Sequence, residues 1–138
     1  MTALIEKSLH QEIMLRLRIL PVLAFSVPNQ VYIPARNEDE RVLARRLIAQ
    51  MKNTGQLSPG APDLCVFWGG AGGCAPSGGM IELKRPASRD LLGKRTPAGR
   101  PSEAQRELAA RAEALGCNHA YASSWEDVRA CLVDWGAL

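Results

Sequence analysis

Two stretches decide how this chain folds: Pro62-Asp63-Leu64-Cys65-Val66-Phe67-Trp68 and Met80-Ile81-Glu82-Leu83-Lys84. The first is an apolar run of strand length, opened by a proline and an acid. The second alternates apolar and charged residues. Successive side chains of a strand point to opposite faces, so Glu82 and Lys84 share one face while Ile81 and Leu83 face the other, toward apolar cover. Residues 69–79 between the two stretches are rich in glycine. The pattern predicts a long hairpin, with strands over 63–68 and 80–84 side by side and 69–79 as the loop. In such a hairpin Asp63 and Glu82 converge. Two carboxylates in a half-buried site cannot both stay charged without a cation. A hard divalent ion with oxygen ligands answers this, and Mg2+ is the usual choice. Lys84 beside it can hold an anionic oxygen. The plain alternative is a surface strand with a Glu–Lys pair, because exposed ion pairs are ordinary.

Outward from the hairpin, helix and strand patterns alternate. Residues 2–20 read as a helix, with Ile5, Leu9, Ile13, Leu17 and Leu20 at spacings of four and three. Pro21 ends it. Val22 to Val27 reads as a strand bounded by Pro28, and Val31-Tyr32-Ile33 as its hairpin partner or a second extended piece. A second helix is expected over 38–52. Its acidic start (Glu38, Asp39, Glu40) suits the positive end of the helix dipole. Val42, Leu43, Leu47, Ile48 and Met51 supply its apolar stripe, with Arg41, Arg45 and Arg46 mostly off it. Residues 102–115 are the clearest helix: Ser102 and Gln105 fit a capping box, and Gly116 stops it. His119 to Ala122 is a short strand. Ser124 opens a last helix with Val128, Cys131, Leu132 and Trp135 on one face. This order predicts an α/β fold with a mixed central β-sheet flanked by helices. At 138 residues, one domain spanning 1–138 is expected.

Apolar residues are 46% and charged residues 22%, which excludes a disordered or fibrous chain. No apolar run approaches the ~20 residues of a membrane span. Glu6 and Lys7 make the N-terminus unlike a signal peptide. The cysteines, Cys65, Cys74, Cys117 and Cys131, contain no CxxC spacing. Cys65 and Cys131 sit in apolar patterns and are expected in the core. Without an export signal, reduced thiols in a cytoplasmic compartment are expected. No Gly-Lys-Ser/Thr and no helix follow the glycine-rich stretch, so it reads as a flexible hairpin loop, not a phosphate cradle. The net charge is only +3, yet it is unevenly spread. Lys84, Arg85, Arg89, Lys94, Arg95 and Arg100 face the single acid Asp90 within 84–100, a net of +5 that leaves −2 for the rest. Pro86, Gly93, Pro97, Gly99 and Pro101 mark this segment as a loop. It is placed to grip phosphates; a solvated basic loop without a partner is the plain alternative.

The pair Pro62-Asp63 and Glu82-Leu83-Lys84, with eighteen residues between them, resembles the PD-(D/E)xK nuclease superfamily. Gly60-Ala61-Pro62-Asp63-Leu64, then Met80 to Lys84, then Ser102-Glu103-Ala104-Gln105, with Ile5-Glu6 in the first helix, is similar to its VRR-NUC branch (virus-type replication–repair nuclease). The resemblance is to the compact stand-alone members of phages and prophages, and it spans nearly the whole chain. It implies a restriction-endonuclease-like core and a Mg2+- or Mn2+-dependent DNA endonuclease. Asp63 and Glu82 would bind the metal, helped by the backbone carbonyl of Leu83 and by Glu6, directly or through water. Lys84 would orient the attacking water or stabilise the phosphorane, and Gln105 would point into the same site. Arg85, Arg89, Lys94, Arg95, Arg100 and Ser102 would contact DNA. The resemblance further implies a homodimer cutting branched DNA such as Holliday junctions, in the cytoplasm of a bacterial or phage-infected cell. Non-specific or flap cleavage and an RNA substrate stay open. A non-catalytic DNA-binding protein on the same scaffold is the alternative from another class. On the residues alone, Gln105 completes a capping box, Glu6 is a solvated acid near a helix start, and His10 is a surface histidine or a DNA contact. Trp68 and Trp125 read as core or interface residues. No recognition helix or zinc finger is visible, so base-specific readout is not expected.

Overall fold

The apolar hairpin lies at the centre of a four-stranded sheet. In the computed structural model the described residues are 2–27, 33–55, 60–70, 75–89 and 92–138, with side chains described from residue 7 onward. The elements are α1 (Thr2–Leu17), β1 (Val22–Ser26), α2 (Glu38–Asn53), β2 (Leu64–Trp68), β3 (Ser77–Leu83), β4 (Ser88–Arg89), β5 (Arg95–Thr96), α3 (Glu103–Ala114), β6 (Asn118–Ala122) and α4 (Trp125–Asp134). The main sheet runs β1-β2-β3-β6. Strands β1, β2 and β3 are antiparallel neighbours, and β6 joins β3 in parallel through the crossover helix α3. The fold is therefore mixed α/β, with a mixed central sheet flanked by helices.

One face of the sheet carries the core. Leu64, Val66, Ile81 and Ala122 pack there against Ile13 and Leu17 of α1 and Val128 and Leu132 of α4. The four-residue repeat of α1 thus buries Ile13 and Leu17 completely. Each such side chain contributes about 1.5–3 kcal/mol. Three helices start on N-cap side chains: Asn37, Ser102 and Ser124 each accept a backbone N–H three residues on. Gly116, at φ 71°, closes the turn after α3 in a conformation that favours glycine.

Several expectations change. Strand β3 begins at Ser77, so Gly78 and Gly79 belong to the sheet and not to the loop. The Trp135 ring lies where a Gly79 Cβ would stand, at 2.4 Å, and stacks on Trp68 with centroids 6.1 Å apart. A large side chain at 79 would expel that ring. The partner of β1 is β2; of the proposed hairpin segment, Val31 and Tyr32 lie outside the described residues. The apolar stripe of α2 exists but is uncovered. Val42, Leu43 and Leu47 are 39%, 57% and 41% exposed, and only Ala44 of this helix is buried. Cys65 and Cys131 are half-buried at the margin of the core and Cys117 is exposed; Cys74 lies outside the described residues. The basic segment is not a plain loop. Its strands β4 and β5 pair antiparallel, Ser88 with Thr96 and Arg89 with Arg95. Two residues per strand suffice there because proline and glycine stop the pairing on either side. No helix among the described residues is long and apolar enough to cross a membrane.

Candidate active site

The site grows out of the β2–β3 register. Leu64 pairs with Ile81, so the next residues outward, Asp63 and Glu82, lie opposite one another. Asp63 follows the buried Pro62 and turns its carboxylate across the strand gap, where Oδ2 accepts the Leu83 N–H at 2.7 Å. The acid therefore ends the ladder as a side-chain cap and is fixed to β3 at the residue after Glu82.

Glu82 points away from the core, yet it is only 2% exposed. Its cover comes from α3. Gln105, in the first turn of that helix, donates through Nε2 to Glu82 Oε1. The same oxygen accepts Lys84 Nζ at 2.8 Å, and Lys84 Nζ donates also to Gln105 Oε1 at 2.7 Å. Glu82, Lys84 and Gln105 thus close a triangle of hydrogen bonds. Alternation along β3 placed Glu82 and Lys84 together, and the Lys84 N–H continues the parallel ladder to the Ala122 carbonyl at 2.7 Å. Gln105 also completes its capping box. Its Oε1 accepts the Ser102 N–H at 2.8 Å while Ser102 Oγ accepts the Gln105 N–H at 3.2 Å. Cap and site are one device: the bond that starts α3 aims the amide at Glu82.

Burial pushes the Glu82 carboxyl up to about 7, with the charge of Asp63 adding to the effect and Lys84 opposing it. Lys84 opposes the effect of burial on Glu82 without cancelling it. The pair accordingly retains an electrostatic demand for more positive charge. Among the described residues no group of three His, Cys, Asp or Glu side chains converges. Two carboxylates and a backbone carbonyl still fit Mg2+, which keeps several waters and takes one or two carboxylates from a protein. The side chain of Glu6 lies outside the described residues. Its helix, α1, packs through Ile13 and Leu17 on the sheet face opposite Glu82. His10 is held locally, with Nε2 2.8 Å from Ser26 Oγ.

The cationic residues divide. Arg85 turns inward. It is half-buried, its Nη2 donates to the Pro97 carbonyl at 2.8 Å, and its own carbonyl accepts the Gly99 N–H at 2.9 Å. It ties the base of the β4–β5 ribbon, and its Nε is buried without a hydrogen bond. Arg89, Lys94, Arg95 and Arg100 are exposed on or beside the ribbon, close in sequence to Lys84. Ser102 serves as the helix cap. Trp68 is a core residue, and Trp125 is half-buried with the Arg16 guanidinium 5.4 Å from its ring.

Two further contributors had no readable role in the sequence. Tyr121 pairs with Glu82 across β3–β6, and its hydroxyl donates to the Gln105 carbonyl at 3.2 Å. Only the parallel register reveals this. Gly60 has φ 78°, and a Cβ there would meet the Ala104 carbonyl oxygen at 2.5 Å. It lets the chain leading to Asp63 touch the first turn of α3, which locks the two halves of the site together. A glycine two residues before Pro62 is the available signal, visible in Gly60-Ala61-Pro62-Asp63. Comparison with family models, curated proteins and solved structures finds no match to this chain.

Proposed function

We propose that this chain is a metal-dependent DNA endonuclease of the PD-(D/E)xK superfamily, VRR-NUC branch, with one restriction-endonuclease-like domain over 1–138 acting inside the cell. One observation carries the reading: Asp63 and Glu82 stand opposite each other on neighbouring strands, with Lys84 and Gln105 both bonded to Glu82 Oε1. Asp63, Glu82 and the Leu83 carbonyl are the residues that would hold Mg2+ or Mn2+, which when bound supplies a more acidic water and neutralises charge on the scissile phosphate. Lys84 has three N–H donors, and two of them go to Glu82 and Gln105. The third is left for an anionic phosphate oxygen or the attacking water. Gln105 holds that ammonium in place, so orientation does not have to be gained during the reaction. The exposed cations of the ribbon neutralise neighbouring phosphates and set the salt dependence of binding.

Cutting a four-way junction symmetrically takes two active sites, and the described residues form one candidate site. The uncovered stripe of α2 gives a second copy an apolar surface to bury. The reading is therefore a homodimer acting on branched DNA, with the mass in solution measured by light scattering.

The deciding experiment compares wild type with Glu82→Ala on labelled four-way junction, flap, duplex and single-stranded DNA, in Mg2+ or EDTA. Mg2+-dependent cleavage lost in Glu82→Ala supports the proposal. Binding of all four without cleavage identifies a non-catalytic DNA-binding protein. Cleavage that survives Glu82→Ala removes the site assignment. RNA versions of the same strands test the nucleic-acid class.

A further inference from the structure

The sheet face that carries Glu82 is unevenly covered. Helix α3 lies over the β3–β6 side, reaching it through Gln105 and Tyr121. On the β1–β2 side the outward residues Leu23, Phe25 and Phe67 are 66%, 45% and 45% exposed. The Phe25 and Phe67 rings pack together from neighbouring strands, with centroids 5.7 Å apart and planes within 20°. The residue opposite Phe67 on β3 is Gly78. Phe67 Cδ1 and Cε1 lie 2.6 and 2.8 Å from where a Gly78 Cβ would be. The ring therefore leans across β3, into space that only glycine leaves empty. Around it the described strand residues of this face are uncharged: Leu23, Phe25, Cys65, Gly78 and Met80.

The position of this pair is informative. Phe25 pairs with Cys65, two residues along β2 from Asp63. It begins about 7 Å along the strand from the Asp63–Glu82 row, one pleat repeat. The basic ribbon departs from the other side of that row, directly after Lys84. On one face, then, the aromatic rings are followed by the carboxylates with Lys84, and the chain that leaves this row carries the exposed arginines.

We propose that Phe25 and Phe67 form a stacking platform for unpaired bases of a DNA strand whose backbone crosses the Asp63–Glu82–Lys84 site. The inference rests on the nuclease reading of that site and specifies its substrate: DNA with unpaired nucleotides beside the scissile phosphate. Aromatic side chains on a sheet bind single strands because every base has a π-face, and flanking cations track the backbone. Bases inside a continuous duplex have both faces covered by their neighbours in the stack. The platform therefore favours flaps, gaps, branch points and single strands over intact duplex.

The test measures binding in EDTA, so it does not depend on cleavage. The probes are a fluorescent single-stranded oligonucleotide, a gapped duplex and a continuous duplex, plus a single strand carrying 2-aminopurine. The double variant Phe25→Leu/Phe67→Leu keeps apolar bulk and loses the π-faces; Phe67→Tyr keeps both. Affinity for the single strand and the gap is expected to fall about tenfold per ring in the leucine variant, with duplex binding unchanged and Phe67→Tyr close to wild type. Wild type is expected to quench 2-aminopurine, and the leucine variant is not. Equal single-strand affinity in wild type and leucine variant overturns the platform, as does absence of quenching by wild type. A shift from dimer to monomer in the leucine variant also overturns it, because the face then belongs to a second copy. Tighter, ring-dependent binding of an RNA strand overturns the assignment to DNA. Ring-dependent binding by a wild type that cleaves nothing supports the platform while removing the nuclease. Cleavage by wild type with ring-independent binding does the reverse.

Discussion

Replacing Glu82 with glutamine is expected to make the metal-free protein more stable at alkaline pH. Glu82 is 2% exposed, and burial moves its carboxyl from an ordinary value of 4.5 to about 7. A folded-state pKa above the unfolded one means that the native protein binds this proton more tightly. The contribution to stability is therefore complete below about 4.5 and is lost as pH rises through 7. At 1.36 kcal/mol per pH unit, the wild type forfeits roughly 3 kcal/mol between pH 4 and pH 8. Glutamine cannot ionise. Its oxygen can still accept from Lys84 and Gln105, so the hydrogen-bonded triangle survives the change. Glu82→Gln should match wild type near pH 4 and exceed it by roughly 3 kcal/mol at pH 8, which is about 10 °C in melting temperature for a domain of this size. Thermal unfolding followed by circular dichroism in EDTA, across this pH range, measures the difference. A stability gap that does not change with pH, or a glutamine variant less stable at pH 8, would refute the reasoning. Either result would mean that the Glu82 charge is already satisfied by Lys84, leaving no demand for a cation.

Three more outcomes follow from the same geometry. Mg2+ or Mn2+ should raise the wild-type melting temperature more at pH 8 than at pH 5 and leave Glu82→Gln unmoved; equal shifts in both proteins would place the ion elsewhere. Changing Arg89, Lys94 and Arg95 together to alanine should reduce the slope of log affinity for duplex DNA against log salt by up to about 2.7, and an unchanged slope would take the β4–β5 ribbon out of the interface. Gly60→Ala should cost roughly 3 kcal/mol or more, because φ 78° and a 2.5 Å approach to the Ala104 carbonyl both reject a Cβ. Chemical denaturation measures that loss, and a neutral result would show that the first turn of α3 can move away from the strand before Asp63.

Much of this protein was legible along the chain, for a local reason. The apolar repeat of α1, the alternation of Ile81-Glu82-Leu83-Lys84 and the Ser102–Gln105 capping box involve partners two to four residues apart. Such patterns survive without knowledge of the rest of the fold. They determined the order of the helices and of the four main-sheet strands, the mixed sheet, and, through the hairpin they define, the meeting of Asp63 and Glu82 beside Lys84. They did not distinguish a capping glutamine from a site glutamine, and the structure makes Gln105 both. What only the tertiary structure decided depends on residues far apart in sequence. The parallel register of β3 and β6 brings Tyr121 beside Glu82, and α3 buries that carboxylate deeply enough to shift its titration. Two glycines read as loop lie in β3 because Phe67 and Trp135 fill the space above each of them, on opposite faces. The basic segment pairs with itself as a ribbon, while the stripe of α2 and the Phe25–Phe67 pair stay open to solvent. A periodic apolar pattern reveals that a face is available to be covered. Which surface covers it, or whether a partner must, is decided by packing across the whole chain.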